Sequence, residues 1–243
     1  MSKDPKIMFF DIETSPNEVY SWRVGNKINL TPDNIIKERR VMCICWKYKG
    51  EGYTYSLTWD EEQDDKSMLK EFGEELRDAD VAIGHNGDNF DIKWVKTRTL
   101  YHNLPPINQV TTIDTLKLAR VNFNFNSNKL DYLGKVLKVG AKTETGGYSL
   151  WTRVMDGEEE AMEEMVEYCR NDVVLLEDVY DKLVPHAAKL PVHIGSLLSG
   201  TRECCPACGE TEFYAIHAKT LASGKKSLRR KCADCHHLYR IYK

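Results

Sequence analysis

Long hydrophobic runs are missing from this 243-residue sequence, and no run approaches the roughly 20 apolar residues that a membrane-spanning helix requires. The N-terminal stretch MSKDPKIMFFDIE mixes a short apolar run with acids and lacks a cleavage-site pattern, which argues against a secretory signal. Internal repeats and low-complexity tracts are also absent. These absences argue against membrane, secreted and repeat proteins, and we expect a cytoplasmic protein with reduced cysteines.

The composition that remains is ordinary for a globular protein, with 42% hydrophobic and 29% charged residues. Charge is distributed unevenly, because residues 196–243 carry a net +5 whereas residues 1–195 carry −8. Five of the eight cysteines also lie beyond residue 203. We therefore predict a larger domain over residues 1–195 and a small, basic, cysteine-rich domain over residues 196–243.

Hydrophobic periodicity divides the larger domain into strands followed by alternating helices and strands. The predicted strands cover residues 6–12, 18–24, 41–47, 52–59, 80–84 and 109–113. The predicted helices cover residues 65–78, 90–101, a short stretch after Asp114, a segment capped by Asn128 that runs to 137, and 158–183. Residues 186–200 are predicted to be a linker. This order predicts an α/β fold with a mixed sheet flanked by helices.

Two carboxylates end the first predicted strand. Because successive side chains of a strand point to opposite faces, Asp11 and Glu13 share one face and Ile12 points into the core. Adjacent acids repel each other, and a divalent cation such as Mg²⁺ or Mn²⁺ relieves that repulsion. Solvated residues just past the strand end are the alternative interpretation.

Two later stretches supply further acids. Asp91 begins a predicted helix after the turn HNGDNF, where it either stabilises the helix dipole or belongs to a site. Tyr168 and Asp172 are four residues apart in the longest predicted helix and so lie on one face. A phenol beside a metal-holding carboxylate is well placed to orient an attacking water.

Taken in order, these stretches resemble the three exonuclease motifs of the DEDD superfamily, tyrosine branch. The motifs are D-I-E at residues 11–13, N-x-x-x-F-D at 86–91 and Y-x-x-x-D at 168–172. The middle motif is most similar to the proofreading domain of family-B DNA polymerases. The resemblance covers about residues 6–184 and implies a ribonuclease H-like fold. It also implies a 3′–5′ exonuclease that releases 5′-mononucleotides from single-stranded DNA ends in replication, repair or degradation.

The same resemblance assigns roles in a site with two Mg²⁺ or Mn²⁺ ions. Asp11 would bridge both ions, Glu13 and Asp172 would complete the first, and Asp91 would support the second. Tyr168 would hold the attacking water. The family positions that meet the terminal nucleotide or the substrate strand correspond here to Ile12, Thr14, Asn86 and Phe90.

Compact, free-standing members of this kind, some with a zinc tail, resemble bacteriophage proteins, which would place the protein in the host cytoplasm. Because 243 residues leave no room for a polymerase domain, we expect a free-standing exonuclease or a subunit acting in trans. Two alternatives stay open. One is an exoribonuclease, since RNase D-like relatives share the tyrosine motif, and the other is a catalytically silent nucleic-acid-binding or scaffold protein.

Two C-x-x-C pairs dominate the C-terminal region. Cys205 with Cys208 and Cys232 with Cys235 predict a zinc ribbon around one structural Zn²⁺, because four thiolates suit tetrahedral zinc and leave no open position. A redox pair is the competing interpretation. Neighbouring side chains offer alternative ligands, namely Cys204, His236 and His237.

Basic residues crowd the segment between and after these pairs. They are Lys225, Lys226, Arg229, Arg230 and Lys231, with Tyr239 and Tyr242 nearby. A basic ribbon with aromatic residues is suited to tracking a nucleic-acid backbone. The alternatives are a solvated hairpin and a docking surface for a polymerase or other replication partner.

Overall fold

The computed structural model describes residues 5–25, 27–107, 110–144 and 146–243. A mixed five-stranded sheet forms the centre of the larger part. Its strands are β1 Ile7–Thr14, β4 Val41–Tyr48, β5 Tyr55–Thr58, β6 Val81–Gly84 and β7 Thr112–Asp114, while β2 Glu18–Val19 and β3 Ile35–Lys37 pair separately. The strand order β5-β4-β1-β6-β7 puts β1 in the middle, antiparallel to β4 and parallel to β6.

Seven α-helices lie in the described part of the chain. They are α1 Lys66–Asp78, α2 Asp91–Tyr101, α3 Thr115–Asn122, α4 Leu130–Leu137, α5 Tyr148–Met155, α6 Glu159–Leu183 and α7 Ile194–Ser199. Among the described helices, none joins enough length to enough apolar character to cross a bilayer.

Alternation along β1 builds two core layers. Phe9 faces the layer formed largely by α3–α6, where its ring meets Tyr180 at a centroid distance of 5.5 Å. Phe10 faces the opposite layer with α1 and α2 and contacts Phe72 at 6.0 Å. Ile12 is buried in that second layer. The predicted α/β fold, with helices flanking a mixed sheet, is thus confirmed, and the odd-numbered positions of β1 face α6.

Several local predictions differ from the structure. The strand predicted over residues 18–24 is limited to Glu18–Val19, and a helix, α5, forms where none was predicted. The strand predicted over 109–113 is Thr112–Asp114, and residue 109 lies outside the described residues. Asn128 does not cap α4, whose N-cap is Lys129. Instead the Asn128 carbonyl lies 2.9 Å from His85 Nε2, which ties it to the turn after β6.

The C-terminal region forms a three-stranded antiparallel sheet in the order β10-β9-β8. Its strands are β8 Phe213–Thr220, β9 Lys226–Cys232 and β10 Leu238–Tyr242. The predicted linker contains α7, and the Gly195 N–H in that helix donates to the Pro206 carbonyl at 3.0 Å. The residue just before β10 also contacts the turn that follows α6, because His237 Nδ1 lies 3.1 Å from the Pro185 carbonyl. The proposed division between residues 195 and 196 therefore falls within α7.

Candidate metal centre

Asp11 and Glu13 lie on the face of β1 that α6 covers. In the ladder with β4, Asp11 stands opposite Cys45 and Glu13 opposite Cys43. From α6, the Cys169 thiol reaches the Asp11 carbonyl at 3.5 Å. All three cysteines are buried, as their apolar surroundings indicate, and they form the floor beneath the two acids.

The third acid comes from α6. Carboxylate oxygens of Asp11, Glu13 and Asp172 lie within 4.8 Å of one another. Asp172 is buried, and its Oδ1 has no hydrogen-bond partner among the described residues. An oxygen-only donor set with an orphaned buried oxygen fits a hard divalent cation. The two acids of β1 and the acid of α6 thus come together although 159 residues separate Glu13 from Asp172 in the chain.

Asp91 reaches the same region from the start of α2. It is buried, and its Oδ1 accepts a hydrogen bond from the Ile12 N–H at 3.2 Å. That bond anchors Asp91 to β1 between the two acids of the strand. Although its oxygens fall outside the 4.8 Å grouping of the other three acids, its charge contributes to the raised pKa of Asp11.

A lysine that the sequence interpretation missed lies among these acids. The Lys142 ammonium donates to Asp172 Oδ2 and, at 3.0 Å, to the Tyr168 hydroxyl. Trp151 packs edge-on against the Tyr168 ring at a centroid distance of 6.2 Å. Lys142 lies in the irregular stretch VGAKTETGG, which has no hydrophobic period and resembles no motif recognised in the sequence. The partners of Lys142 become apparent only in the folded chain, where this segment lies against α6.

Burial perturbs the protonation of the whole cluster. Burial, followed by the charges of Asp91, Glu13 and Asp172, holds the pKa of Asp11 well above its ordinary value. Burial also raises the pKa of Glu13 to about 8 and that of Asp91 to about 7. The pKa of Asp172 is raised by burial too, even though Lys142 opposes the shift. Four acids that resist ionisation together form a site that a divalent cation would stabilise.

The four residues predicted to meet substrate lie in different surroundings, one in an open cleft and the others partly or fully buried. Asn86 lines a cleft of about 660 Å³ beside Asp11, and Phe90 is partly buried against the core layer of α1 and α2. Thr14 is buried at the end of β1, and the Ile12 side chain lies in the core, so that only its backbone faces Asp91. Phe123 and Phe125 pack against the core of the α6 layer.

Asp114 is a further buried acid near the cleft. From the sequence it was recognised only as the residue before a short helix. Its Oδ1 accepts hydrogen bonds from the N–H groups of Asn86 at 3.0 Å and Leu116 at 3.0 Å, so it caps α3 and fixes the turn after β6. Asn86 occupies the left-handed region there, with φ of +65°. Lysine and arginine side chains also line the cleft, namely Arg120, Lys129 and Lys142. The lining of the cleft therefore combines carboxylates, including Asp11, with three cations.

The C-terminal cysteines form a second cluster. The thiol sulfurs of Cys205, Cys208, Cys232 and Cys235 lie within 4.8 Å of one another. Cys205 and Cys235 are 3.6 Å apart, and Cys208 and Cys232 are 3.5 Å apart. The Cys204 thiol points elsewhere, toward the Thr201 carbonyl at 3.0 Å. The grouped sulfurs are therefore those of the two predicted C-x-x-C pairs.

A third group of possible ligands, Asp64, Asp65 and His102, is better explained as an ion pair. Arg98 donates to both oxygens of Asp65 at 2.8 Å, through Nε and Nη2. The Asp65 side chain is fully buried, so the guanidinium already supplies the charge that it needs.

Comparison with known proteins agrees with this architecture. Over 82 residues the chain is 33% identical to the DNA polymerase III PolC-type of Ureaplasma parvum serovar 3 (strain ATCC 700970), a match that spans 34% of this chain and 6% of that protein. The family B DNA polymerase from the hyperthermophilic archaeon Pyrobaculum calidifontis has a similar fold, with a TM-score of 0.52 at 13% identity over 90% of this chain and 31% of that one. The chain thus matches a small part of each relative.

The family comparison covers more of the chain. A family model described as RNase_H superfamily matches residues 37–184, which include β4–β7 and the acids of α2 and α6 but not the acids of β1. β1 lies outside the matched residues but is the central strand of the same mixed sheet. The chain belongs to the RNase_H superfamily.

Proposed function

We propose that this protein is a metal-dependent 3′–5′ exonuclease of the DEDD tyrosine branch that hydrolyses single-stranded DNA ends to 5′-mononucleotides. The observation that carries the proposal is the convergence of Asp11, Glu13 and Asp172, with Asp91 bonded to the backbone between the first two. Membership of the RNase_H superfamily and the partial identity with a DNA polymerase sequence support a nuclease role.

The acids fit two Mg²⁺ or Mn²⁺ ions. Asp11, Glu13, Asp91 and Asp172 would hold them, and four carboxylates balance the charge of two dications. When bound, the ions would neutralise the charge that develops on the attacking and leaving oxygens of a phosphodiester. The same charge balance offsets the burial that raises the pKa values of these acids.

Tyr168 and Lys142 act on the nucleophile's side of this site. Lys142 holds the phenol of Tyr168 next to Asp172, so the hydroxyl has a fixed position from which it orients a water for in-line attack. The lysine also leaves a positive charge close to the scissile phosphate. Arg120 and Lys129 line the cleft beside Asp11, where they would meet the phosphates of the bound strand.

The decisive test is a comparison of Asp11→Ala with Glu71→Ala, a control on the exposed face of α1. A 5′-labelled single-stranded DNA is incubated with Mg²⁺ or Mn²⁺ and followed as a shortening ladder, while chromatography identifies the released nucleotides. We expect the wild type and Glu71→Ala to shorten the strand and Asp11→Ala to leave it intact. Cleavage by Asp11→Ala at the wild-type rate would refute the site assignment.

Two variations of this assay address the alternatives. Matched DNA and RNA oligonucleotides, compared side by side, distinguish a deoxyribonuclease from an exoribonuclease, because a site that accepts RNA must accommodate the 2′-hydroxyl. A strand that is bound but stays intact in saturating metal indicates a binding or scaffold protein instead.

We also propose that residues 196–243 form a zinc ribbon with one structural Zn²⁺. Tetrahedral zinc with Zn–S distances of about 2.3 Å separates its sulfurs by about 3.8 Å. This is close to the 3.6 Å between the sulfurs of Cys205 and Cys235 and the 3.5 Å between those of Cys208 and Cys232. Burial raises the pKa of Cys205 to about 12, a shift that a bound cation would reverse. Metal analysis should find one zinc per chain, and a Cys232→Ser variant with undiminished zinc would contradict this assignment.

A further inference from the structure

The three-stranded C-terminal sheet has one face on which cations and aromatic side chains alternate. In the ladders of β9 with its neighbours, Arg229 is flanked by His217 and Arg240. Cross-strand partners project to the same side of a sheet, so these three side chains share a face.

The adjoining rows continue this face. Lys231 is flanked by Tyr214 and Leu238. In the third row, Lys219 and Tyr242 flank Ser227. The three rows centred on residues 227, 229 and 231 of β9 therefore carry basic side chains on all three strands. A tyrosine lies on each of the two outer strands.

The two tyrosines on this face have no role in the core. Tyr214 is 61% exposed and Tyr242 is 60% exposed. Large aromatic side chains held open to solvent on a regular sheet are typical of surfaces that stack against a ligand. Their rings are therefore available to unpaired bases.

Carboxylates are missing from this surface. The sequences of β8, β9 and β10 contain no Asp or Glu. Within the described part of the chain, no carboxylate lies at ion-pair distance from Lys219, Arg229, Lys231 or Arg240. The positive charge of the face is thus left without an internal counterion and suits an anionic ligand.

The opposite face of the sheet is structural. Arg230 is buried, with its guanidinium carbon 3.6 Å from the Phe213 ring centroid, and Tyr239 is buried beside it. These two residues belonged to the basic and aromatic cluster expected from the sequence. The register of β9 instead divides that cluster, so that only Arg229, Lys231 and Tyr242 of the seven lie on the outward face described above.

A groove extends the outward face toward the rest of the chain. It has a volume of about 790 Å³ and runs between β10 and the segment after α6. Arg229 and Arg240 line it together with four histidines, His186, His193, His236 and His237, and none of the described residues in its wall is acidic. The basic surface therefore continues from the sheet across the edge of β10.

We propose that this face and groove form a second binding site for single-stranded DNA, separate from the catalytic cleft. Phosphates contact Arg229, Lys231, Arg240 and Lys219, and unstacked bases pack on Tyr214 and Tyr242. A single strand fits because a duplex hides the faces of its bases, which the tyrosines need for stacking. The choice of DNA rests on the proposed exonuclease function, and the site would retain the strand while its end is shortened.

Fluorescence anisotropy of the full chain with a labelled oligothymidylate tests the site in buffer without Mg²⁺ or Mn²⁺, so that the strand stays intact. The charge variant is Arg229→Gln/Arg240→Gln, and its matched control is Lys70→Gln/Lys96→Gln, which removes two exposed cations from α1 and α2. We expect the charge variant to lose affinity and to reduce the salt slope of log K by about 1.4, at ~0.7 per phosphate contact. The control should match the wild type.

The aromatic variant Tyr214→Ala/Tyr242→Ala should bind at least about tenfold more weakly, because each stacked base contributes substantially to affinity. Circular dichroism and thermal melting establish that each variant is folded. Unchanged affinity in the charge variant, or an equal loss in the control, would overturn the proposal. A wild type that binds RNA more tightly than DNA would overturn the choice of DNA, and one that binds neither would favour a protein partner for this face.

These experiments can refute the exonuclease proposal and the second binding site independently of each other. Binding that depends on the sheet face, together with an intact strand after Mg²⁺ is added, would refute the exonuclease and leave a DNA-binding surface. Shortening of the strand by a wild type whose binding is unaffected by both double variants would refute the second site and leave the exonuclease.

Discussion

The ammonium of Lys142 forms an ion pair with the buried carboxylate of Asp172, and from the same position it lies 3.0 Å from the Tyr168 hydroxyl. One cation therefore holds both the only tyrosine and one of the four acids of the proposed site. Because Lys142 approaches from a loop and its two partners from α6, its charge couples the loop to the chemistry of the helix.

Replacing Lys142 by Met should separate catalysis from metal binding. We expect kcat to fall about a hundredfold or more, because Tyr168 loses its positioning contact. The apparent affinity for Mg²⁺ should be maintained or increased, since a competing positive charge has left the acids. Steady-state kinetics over a Mg²⁺ titration measures both quantities. Lys96→Met on the exposed face of α2 is the control, and a Lys142→Met variant with wild-type kcat would contradict the role.

The stability of the protein without Mg²⁺ should fall as the pH rises. The folded pKa of Glu13 is about 8 and that of Asp91 about 7, mainly because of burial, whereas unfolded carboxylates titrate near 4. Between these values the folded state binds more protons than the unfolded state, so the free energy of unfolding decreases as the pH rises from about 4 to about 8.

Urea denaturation across that range, without added Mg²⁺ and without a chelator that would remove zinc, measures this dependence. Glu13→Gln should flatten the curve because the group no longer titrates, whereas Glu71→Gln on the exposed face of α1 should not. Added Mg²⁺ should also flatten it. A wild-type stability that rises toward pH 8 would contradict the prediction.

The buried pair of Asp65 and Arg98 should contribute to stability with the opposite dependence on pH. Burial acts to raise the pKa of Asp65, but hydrogen bonds from Arg98, the Val41 N–H and His102 lower it overall. An acid whose folded pKa is depressed stabilises the fold above its unfolded pKa of about 3.9, and this contribution is lost as the pH falls through the folded value.

Asp65→Asn should therefore destabilise the protein by about 3–5 kcal/mol at pH 7, because it leaves the Arg98 guanidinium buried without its counterion. The difference from the wild type should shrink below about pH 4. Asp64→Asn, at the more exposed neighbouring position, should cost less than about 1 kcal/mol. Equal effects of the two substitutions in urea denaturation would show that the buried pair is not the cause.

Gly195 should tolerate no side chain. A Cβ at this position would lie 1.8 Å from the Cys205 carbonyl oxygen and 2.9 Å from the Gly209 nitrogen, both backbone atoms of the cysteine loop. Gly195→Ala must displace that loop, and we expect zinc to be released to a chelator at lower concentration, with destabilisation of about 1–3 kcal/mol or more. Gly52→Ala, where a Cβ meets nothing within 4 Å, should behave as the wild type. Wild-type zinc retention in Gly195→Ala would contradict the close approach.

The sequence predicted the parts of the site that depend on local periodicity. Period two along β1 separates Phe9 from Phe10 and directs Asp11 and Glu13 away from Ile12, whose side chain lies in the opposite core layer. The fold class followed from the order of strands and helices. Within the cysteine region, the C-x-x-C spacing also identified the four sulfurs that come together, because two residues between ligands suffice to close a tight turn.

Other features depend on contacts that no local pattern encodes. Lys142 lies 30 residues before Asp172 in an irregular loop, and its partners are decided by how that loop returns across α6. The division of Arg229 from Arg230 depends on the register of β9, because a shift by one residue exchanges the two faces of a strand. Asn128 pairs with His85, 43 residues away, rather than capping its own helix.

The sequence by itself thus determined most of the elements, the strand that carries the first acid pair and the spacing of the cysteines, since these follow from steric and hydrophobic preferences between near neighbours. The tertiary structure decided which cation meets the buried acids, which basic residues face outward and how strongly each carboxyl is perturbed. These properties depend on burial and on Coulomb interactions, whose strength is set by distances between residues remote in the chain.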